Sequence, residues 1–218
     1  MEFEESYFKS RDYRSKEQLV KRNVVEIIKW ASNVAGVDYA DGKGQRALDV
    51  GCAYGYTTEA LAGLGYETCG VDVSRWGVQK AKAKSAGDVL VCDAQAALPF
   101  EADSFDLVTG FDVLEHLRFP ESALRNMLAA CRGSLICTTP NRRVEKPVRK
   151  LTGDYDETHV NVKSAGEWKK CVKNSVNSGL VKVETFFDVT GKLAKNGVFF
   201  KSVKLPGLGL TVRILVKK

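Results

Sequence analysis

Apolar and polar positions along the first 140 residues alternate between two spacings, one typical of helices and one typical of short buried strands. Apolar side chains at helical spacing predict helices over residues 16–36, 57–64, 77–86 and 121–131. Short apolar runs bounded by turn residues predict strands over residues 46–50, 67–72, 89–93, 105–111 and 133–139. Because helices and strands alternate, we expect parallel strands that crossover helices cover on both faces.

The pattern is less regular after Pro140. We expect a loop over residues 140–166, a helix near 166–178, and two further strands at 180–187 and 210–217. The 22 residues between these two strands show no strong helical or strand pattern. The sequence contains no internal repeat or low-complexity tract, so we interpret all 218 residues as one domain.

The composition is that of a globular protein. Hydrophobic residues make up 44% of the chain and charged residues 28%, which excludes a disordered or collagen-like chain. The first residues are acidic and do not resemble a signal peptide, and the sequence has no run of about 18 apolar residues. The six cysteines form no CxxC pair, so we interpret them as small buried side chains in a reducing compartment. These features predict a cytoplasmic protein.

Charge is unevenly distributed along the chain, which has a net charge of +6. Residues 1–140 carry 16 basic and 20 acidic side chains, residues 141–188 carry 10 and 7, and residues 189–218 carry 7 and none. The basic character therefore belongs to the last third of the chain. This region is interpreted as plain solvated surface or, alternatively, as a contact with an acidic small molecule, with RNA or with a membrane surface.

Small residues follow the first predicted strand. Residues 48–55 read LDVGCAYG, with Ala53 between Gly51 and Gly55. In an open parallel sheet, ligands bind outside the carboxyl ends of the strands, and small residues there let a ligand approach the backbone. The spacing matches neither the GxGxxG pattern of dinucleotide loops, which disfavours a nicotinamide dehydrogenase, nor the Gly-Lys-Ser/Thr ending of phosphate loops.

Three aspartates lie at or near the ends of the first three strands. Asp49 precedes the glycine loop, Asp72 ends the second strand and Asp93 ends the third. In these places Asp49 suits an ammonium or sulfonium group, Asp72 suits ribose hydroxyls, and Asp93 suits the exocyclic amine of adenine. Each has a simpler interpretation as a capping or turn residue. Together they favour a site for a cationic nucleoside without phosphates.

The ordered series of these motifs resembles the class I S-adenosylmethionine-dependent methyltransferases. LDVGCAYGYTTEAL is similar to the family's first motif and VDVSRWGVQKAK to its acidic loop. VCDAQAALPFEADSFDLVTGFDVLEHL is similar to the stretch that contains the third and fourth strands, and ICTTPNR to the fifth strand and its exit. Ala53 stands where the family has a second glycine, which is a mild departure because alanine still permits a close approach. The resemblance is strong over residues 45–140 and weak elsewhere.

For the fold, the resemblance implies an α/β, doubly wound, seven-stranded and mostly parallel sheet in the order 3-2-1-4-5-7-6, with the last strand antiparallel and helices on both faces. It implies a single methyltransferase domain, with residues 45–140 as the cofactor-binding core and residues 141–218 as the substrate side with the last two strands. Residues 1–40 would form an N-terminal helical arm. The aromatic and basic side chains of residues 7–14 either fold over the cofactor as a lid or belong to a flexible tail.

For the site, the resemblance implies S-adenosylmethionine as cofactor, with S-adenosylhomocysteine as product. The residues expected to bind it follow the first four strands: Asp49, Gly51, Cys52, Ala53, Gly55, Asp72, Val73, Asp93, Ala94, Phe111 and Asp112. No metal is expected, because a zinc site needs ligands at closer spacing and the chain has only two histidines.

These two histidines, His116 and His159, are the candidate catalytic residues. His116 lies in FDVLEHL, a stretch that passes under the methionine sulfur in similar enzymes, and a histidine suits general-base catalysis near neutral pH. His159 lies in a region that faces the acceptor in similar methyltransferases, where Asp156 and Glu157 would complete a polar site. A structural histidine and a solvated loop are the simpler interpretations.

The reaction implied is a direct in-line transfer of a methyl group to oxygen or nitrogen of a small, acidic or amphiphilic acceptor, through proximity and alignment. The family's Asn-Pro-Pro-Tyr/Phe motif does not follow the fourth strand, which disfavours adenine and glutamine amides as acceptors. An RNA methyltransferase and a non-catalytic protein that binds S-adenosylmethionine or a partner are the alternatives, although the sequence shows no recognisable RNA-binding module. The sequence does not predict an oligomeric state.

Overall fold

The computed structural model describes residues 3–84, 87–152, 156–176, 179–193 and 197–218. In these ranges eight strands form one sheet: β1 (Arg46–Val50), β2 (Glu67–Asp72), β3 (Asp88–Val91), β4 (Phe105–Phe111), β5 (Cys131–Pro140), β6 (Leu180–Leu193), β7 (Gly197–Lys204) and β8 (Thr211–Lys217). The helices are α1 (Glu5–Ser10), α2 (Glu17–Ala35), α3 (Tyr56–Gly63), α4 (Arg75–Lys84), α5 (Pro120–Ala130), α6 (Arg142–Thr152) and α7 (Ala165–Lys173). The elements predicted before Pro140 are all present, and their ends lie within two residues of the predicted ones.

The strand order is β3-β2-β1-β4-β5-β8-β6-β7. Strands β1 to β5 run parallel, and β8 is antiparallel to both β5 and β6. This confirms the doubly wound α/β class and the predicted insertion of the last strand beside the fifth. The order reverses between β1 and β4, and in such sheets a ligand binds at that switch point, outside the carboxyl ends of the strands.

The prediction of seven strands is wrong by one, because the segment between the two predicted C-terminal strands is not irregular. Strand β6 continues to Leu193, and β7 pairs with it in antiparallel register at the edge of the sheet. Lysines and glycines interrupt the apolar alternation of this segment, and polar side chains are common on edge strands. The hydrophobic pattern was therefore too weak to predict β7.

The prediction of a loop over residues 140–166 is also wrong in part, because α6 occupies residues 142–152. Asn141 supports the start of this helix, since its Oδ1 accepts a hydrogen bond of 3.2 Å from the backbone N–H of Arg143. Pro147 lies inside the helix, where proline normally breaks the hydrogen-bond ladder. The proline and the many charges argued for a loop, but arginine, lysine and glutamate favour helix.

Helices cover both faces of the sheet, as predicted. One face packs against α5 and α7, with Leu48 of β1 and Val108 of β4 in its core. The other packs against α2 and α3, with Ala47 and Leu107 from the same two strands. Successive residues of a strand point to opposite faces, so these short strands are apolar throughout. All six cysteines are free thiols, and four of them are buried.

None of the helices in the described ranges combines the length and apolar character needed to cross a bilayer.

Candidate active site

A cavity of about 900 Å³ opens at the carboxyl ends of β1, β2, β3 and β4. Its walls come from the loops that follow these strands, from the N-terminal arm, and from residues between β5 and α7. The switch point of the sheet lies at its base, so the cavity occupies the place that the sequence predicts for the ligand. We call the part near β1, β2 and β3 the cofactor end and the part near His116 and His159 the acceptor end.

The backbone of the loop after β1 explains its small residues. Gly51 and Gly55 both have a φ of 77°, in the left-handed region that favours glycine. A Cβ on Gly51 would lie 2.2 Å from Cγ2 of Val113, so no side chain fits there. Ala53 has a φ of 46°, which costs an alanine about 1 kcal/mol. The departure from the family's glycine pattern thus leaves the loop shape intact at the expense of backbone strain.

Asp72 presents its carboxylate to the cofactor end. One oxygen accepts the backbone N–H of Ala53 at 2.8 Å, and the other accepts the backbone N–H of Ser74 at 2.7 Å. Burial raises the pKa of Asp72, although these two hydrogen bonds oppose the shift. A carboxylate oxygen accepts more than one hydrogen bond, so both oxygens retain acceptor capacity for a diol.

Most of the other residues expected to bind the cofactor also line the cavity: Gly51, Ala53, Val73, Asp93, Ala94, Phe111 and Asp112. Asp112 has a φ of 54° and accepts a hydrogen bond of 3.0 Å from the hydroxyl of Thr138. Desolvation by the cavity walls raises the pKa of Asp112, and the Thr138 hydroxyl opposes the shift, although the side chain is exposed to solvent within the open cavity. Asp112 therefore stands between the two ends of the cavity as a carboxyl group that holds its proton more tightly than usual.

Three of the predicted cofactor residues do not line the cavity, namely Asp49, Cys52 and Gly55. Asp49 is only 2% exposed, and its two oxygens accept hydrogen bonds of 3.0 Å from the hydroxyls of Thr58 and Thr109. Burial raises the pKa of Asp49 to about 7. The structure therefore places Asp49 beneath the glycine loop, where it joins β1 to α3 and β4, and its contact with a methionine ammonium stays a prediction.

The N-terminal arm, residues 3–16, lies across the mouth of the cavity. Phe8 is buried, and the centroid of its ring lies 4.9 Å from that of Tyr54. Tyr13 stacks on Tyr56, with ring centroids 5.4 Å apart. Aromatic contacts of this kind stabilise by about 1 kcal/mol each beyond their buried area. In this structure the arm packs against the loop after β1 and lines the cavity, and its role as a lid over the cofactor stays a prediction.

Asp156 joins the arm to the acceptor end. The Arg11 guanidinium forms an ion pair of 2.9 Å with Asp156, and the Tyr7 hydroxyl donates to the same carboxylate at 3.4 Å. Burial, with the nearby Asp156 charge, raises the pKa of Tyr7 to about 12, so Tyr7 is a donor at neutral pH. These partners lie about 150 positions apart in sequence, and no local pattern indicates that they meet.

His116 is hydrogen-bonded to the side chain of Thr158. The Thr158 hydroxyl donates to Asp156, so its oxygen accepts from Nδ1 of His116 at 2.7 Å. Burial, together with nearby His159, lowers the pKa of His116 to about 4. A neutral imidazole with such a low pKa is a weak base, so the structure gives little support to His116 as the general base.

His159 contacts a different carboxylate. Its Nδ1 lies 2.6 Å from Oε1 of Glu145 in α6, and its Nε2 lies 3.7 Å from Asp156. The rings of His116 and His159 meet edge to face with centroids 4.7 Å apart. Glu157, which the sequence grouped with them, is exposed and does not line the cavity.

Comparison with known proteins identifies the family. Residues 20–175 match the sequence profile of the methyltransferase domain. The chain belongs to the class I S-adenosylmethionine-dependent methyltransferase family. Solved structures share the fold: a methyltransferase from Archaeoglobus fulgidus has a TM-score of 0.72 at 20% identity, covering 98% of this chain and 100% of that one. Magnesium protoporphyrin IX methyltransferase from Synechocystis, solved with S-adenosylhomocysteine, has a TM-score of 0.61 at 16% identity, covering 91% of this chain and 83% of that one.

Curated relatives match part of this chain in sequence. The ubiquinone biosynthesis O-methyltransferase of Roseobacter denitrificans is 30% identical over 140 residues, which are 60% of this chain and 55% of that protein. The protein of the same name from Burkholderia multivorans is 28% identical over 150 residues, which are 64% of this chain and 63% of that protein. The chain thus spans little more than half the length of the curated relatives it matches.

S-adenosylmethionine is the cofactor of this methyltransferase family, and the cofactor end fits it. Gly51 and Ala53 line the cavity, and their small size leaves the backbone of the loop open to a ligand. Asp72 offers acceptors for ribose hydroxyls, and Val73, half exposed, and Ala94 offer apolar surface for an adenine ring. The residues present therefore suit the cofactor.

Sequence reasoning missed three residues of the acceptor end, Glu115, Glu145 and Thr158. Glu115 belongs to the motif FDVLEHL, but the sequence predicted no function for it. Glu145 lies in α6, in a segment that was expected to be a loop. The expectation of no metal relied on ligand spacing along the sequence and stays a prediction. The fold brings the two histidines into contact although 42 residues separate them.

Proposed function

We propose that this methyltransferase transfers the methyl group of S-adenosylmethionine to a hydroxyl oxygen of a small, uncharged or amphiphilic acceptor. The observation that carries the proposal is the Glu145–His159 pair, which lies in the same cavity as Asp72 and the glycine loop. A hydroxyl is a poor nucleophile until it loses its proton, whereas the methyl group of a sulfonium is already activated. A carboxylate-backed imidazole at the acceptor end supplies the base that such an acceptor needs.

His159 is the base in this proposal. If Nδ1 donates to Glu145, the lone pair lies on Nε2, which is the correct tautomer for taking a proton from the acceptor. Glu145 then stabilises the imidazolium that forms. Bound cofactor supplies the electrophilic methyl group, and the protein's part is to orient the acceptor and hold its proton.

The described side chains of the basic C-terminal third supply no positive charge to the cavity. Of the basic residues beyond position 140 whose side chains are described, none lines the cavity, and Arg142 instead pairs with Glu167 at 2.6 Å. The acidic residues Asp112, Glu115, Glu145 and Asp156 line the cavity, as do the cationic residues Arg11, Lys16 and Arg118. Arg11 is paired with Asp156. The expectation of an acidic acceptor, which rested on the basic C-terminal third, thus finds no support in the cavity.

The arm completes the site. Phe3 meets His116 edge to face at 5.5 Å, and Tyr7, Phe8 and Tyr13 also line the cavity. These rings exclude water from the cavity, which protects an in-line transfer and strengthens its polar contacts. They also provide apolar surface for an aromatic or prenylated acceptor.

The curated relatives named above carry O-methyltransferase in their names, which supports oxygen as the accepting atom in this proposal. Phenolic acceptors, with their apolar rings and acidic hydroxyls, suit the cavity described.

The test is methyl transfer from tritiated S-adenosylmethionine to a panel of catechols, phenols and amines of matched size. We expect label in methyl ethers, which withstand mild alkali, and a loss of at least about 100-fold in kcat for His159→Gln with cofactor binding retained. The matched control is Glu157→Gln, which changes an exposed neighbour outside the cavity.

Three outcomes would overturn the proposal. Label found only in amines would indicate an N-methyltransferase, and label in a cell extract that ribonuclease releases would indicate RNA as the acceptor. Binding of S-adenosylhomocysteine without transfer to any fraction of a cell extract would indicate a non-catalytic binding protein.

A further inference from the structure

The acceptor end holds three side chains whose possible metal-binding atoms converge. A carboxylate oxygen of Glu115 and ring nitrogens of His116 and His159 all lie within 4.8 Å of one another. Glu115 and His116 come from the turn after β4, and His159 comes from the segment between α6 and α7. Two imidazoles and one carboxylate are a frequent ligand set for divalent zinc, manganese and iron.

We infer that Glu115, His116 and His159 bind one divalent transition-metal cation at the acceptor end of the cavity.

Glu115 provides an independent observation. Its side chain is fully buried, yet it lines the cavity, and neither carboxylate oxygen makes a hydrogen bond of good geometry with the described residues. Burial raises the pKa of Glu115 well above its usual value, and the nearby Thr139 hydroxyl opposes this shift only in part. A buried carboxylate without a partner is costly, so a bound cation would account for its presence. The buried carboxylate of Glu115 therefore points to a ligand.

The orientation of the histidine rings also suits a cation. The Thr158 hydroxyl donates to Asp156, so Nδ1–H of His116 donates to Thr158 and the lone pair lies on Nε2. Nδ1 of His159 lies 2.6 Å from Glu145, so donation there places its lone pair on Nε2 as well. Metal-binding histidines almost always donate their second ring nitrogen to a carboxylate or another oxygen in this way.

The two chain segments that carry these ligands are joined to each other. The backbone N–H of Asn161 donates to the carbonyl of Glu115 at 2.8 Å, and its side-chain amide donates to the carbonyl of Leu117 at 3.1 Å. Ligand atoms around a zinc ion lie roughly 3.4 Å apart, and the three candidate ligand atoms lie within 4.8 Å of one another. Asp112, in the same wall of the cavity, leaves an oxygen for a further ligand or for a bound water.

The inference keeps the acceptor of the proposed function but changes how its hydroxyl is activated. A cation held by Nε2 of His159 would replace that nitrogen as the means of activating the acceptor hydroxyl, because a bound divalent cation lowers the pKa of a ligated hydroxyl. The binding of the cation itself follows from the geometry whatever the acceptor is.

The test is titration of the full chain, prepared without a histidine tag and stripped with a chelator, with Co²⁺ as a spectroscopic probe and Zn²⁺ as competitor. We expect one equivalent of Co²⁺, visible d–d bands without thiolate charge-transfer bands, and full displacement by Zn²⁺. Glu115→Gln and His159→Gln should each weaken Co²⁺ binding at least about 10-fold. Glu157→Gln, an exposed acid two positions from His159, should leave binding unchanged.

Several results would overturn the inference. These are an absence of binding, an affinity that Glu115→Gln and His159→Gln do not change, or charge-transfer bands showing that cysteine thiolates bind the cobalt. Circular dichroism and binding of S-adenosylhomocysteine establish that each variant is folded, and His159→Asn provides a second substitution if one variant fails to fold. If no cation binds but His159→Gln still abolishes transfer, the metal inference fails and the proposed function stands.

Discussion

The backbone N–H of Ala53 donates a 2.8 Å hydrogen bond to Asp72 from a left-handed conformation with a φ of 46°. Glycine would adopt this conformation without strain, whereas alanine is strained by about 1 kcal/mol. We therefore expect Ala53→Gly to leave the free energy of unfolding unchanged within about 1 kcal/mol, because relief of strain offsets the larger entropy of the unfolded chain. Urea unfolding of the two proteins measures this free energy.

The matched control is Ala53→Val, because a β-branched residue at positive φ is an outlier. We expect it to destabilise by at least about 2 kcal/mol and to weaken binding of S-adenosylhomocysteine. If the glycine variant proved the less stable of the two, the left-handed backbone at this position would be wrong.

Asp72 is expected to be the principal polar contact for the ribose of the cofactor. Asp72→Asn keeps the shape of the side chain but replaces one oxygen by an amide group, which cannot accept the hydrogen bond that a backbone N–H now makes. We expect at least a 10-fold loss of affinity for S-adenosylhomocysteine by calorimetry, since hydrogen bonds to charged groups contribute roughly 1.5–3 kcal/mol. An affinity within twofold of the unsubstituted protein would remove Asp72 from the cofactor site.

The cofactor end could be predicted from the sequence because each of its parts is local. A glycine loop follows a short apolar strand, and Asp72 ends the next one, so neighbouring residues and the rules of parallel sheets suffice to place both. Ala53 shows the limit of such reasoning, because the sequence alone does not reveal that it holds the conformation of the missing glycine.

The acceptor end could not be predicted in the same way. His159, Glu145 and Glu115 come from three segments, and only the packing of α6 and the following segment against the turn after β4 brings them together. The strand β7 escaped prediction for a related reason, since pairing with β6 stabilises it rather than an apolar pattern of its own.

Asp49 should make stability depend on pH. Burial raises its pKa to about 7 in the folded protein, from the usual value of 3.8. Between these values the folded state binds one more proton at this site than the unfolded state, so this contribution to stability falls as pH rises and is fully lost above about pH 7. Asp49→Asn removes the titrating group and retains a side chain that can bond Thr58 and Thr109.

We subtract the free energy of unfolding of the unsubstituted protein from that of Asp49→Asn. We expect this difference to rise by roughly 2 kcal/mol as the pH increases from about 5.5 to 7.5. Urea unfolding at several pH values measures the difference between the two proteins, which cancels the contributions of all other groups. A difference that does not vary over this range would show that Asp49 titrates as an ordinary exposed carboxyl group.

Arg11 should hold the N-terminal arm closed. Its ion pair with Asp156 is largely buried, with side chains 23% and 12% exposed, whereas the pair between Lys9 and Glu5 in the same arm is 72% and 44% exposed. Exposed pairs contribute little, so Lys9→Gln is the matched control.

We expect Arg11→Gln to speed hydrogen exchange in the arm and to raise the KM for the cofactor several-fold, because an open arm admits water and leaves Asp156 without its cation. Lys9→Gln should change neither quantity. Equal effects of the two substitutions would show that the arm is held by its aromatic contacts alone, and that Asp156 does not link it to the acceptor end.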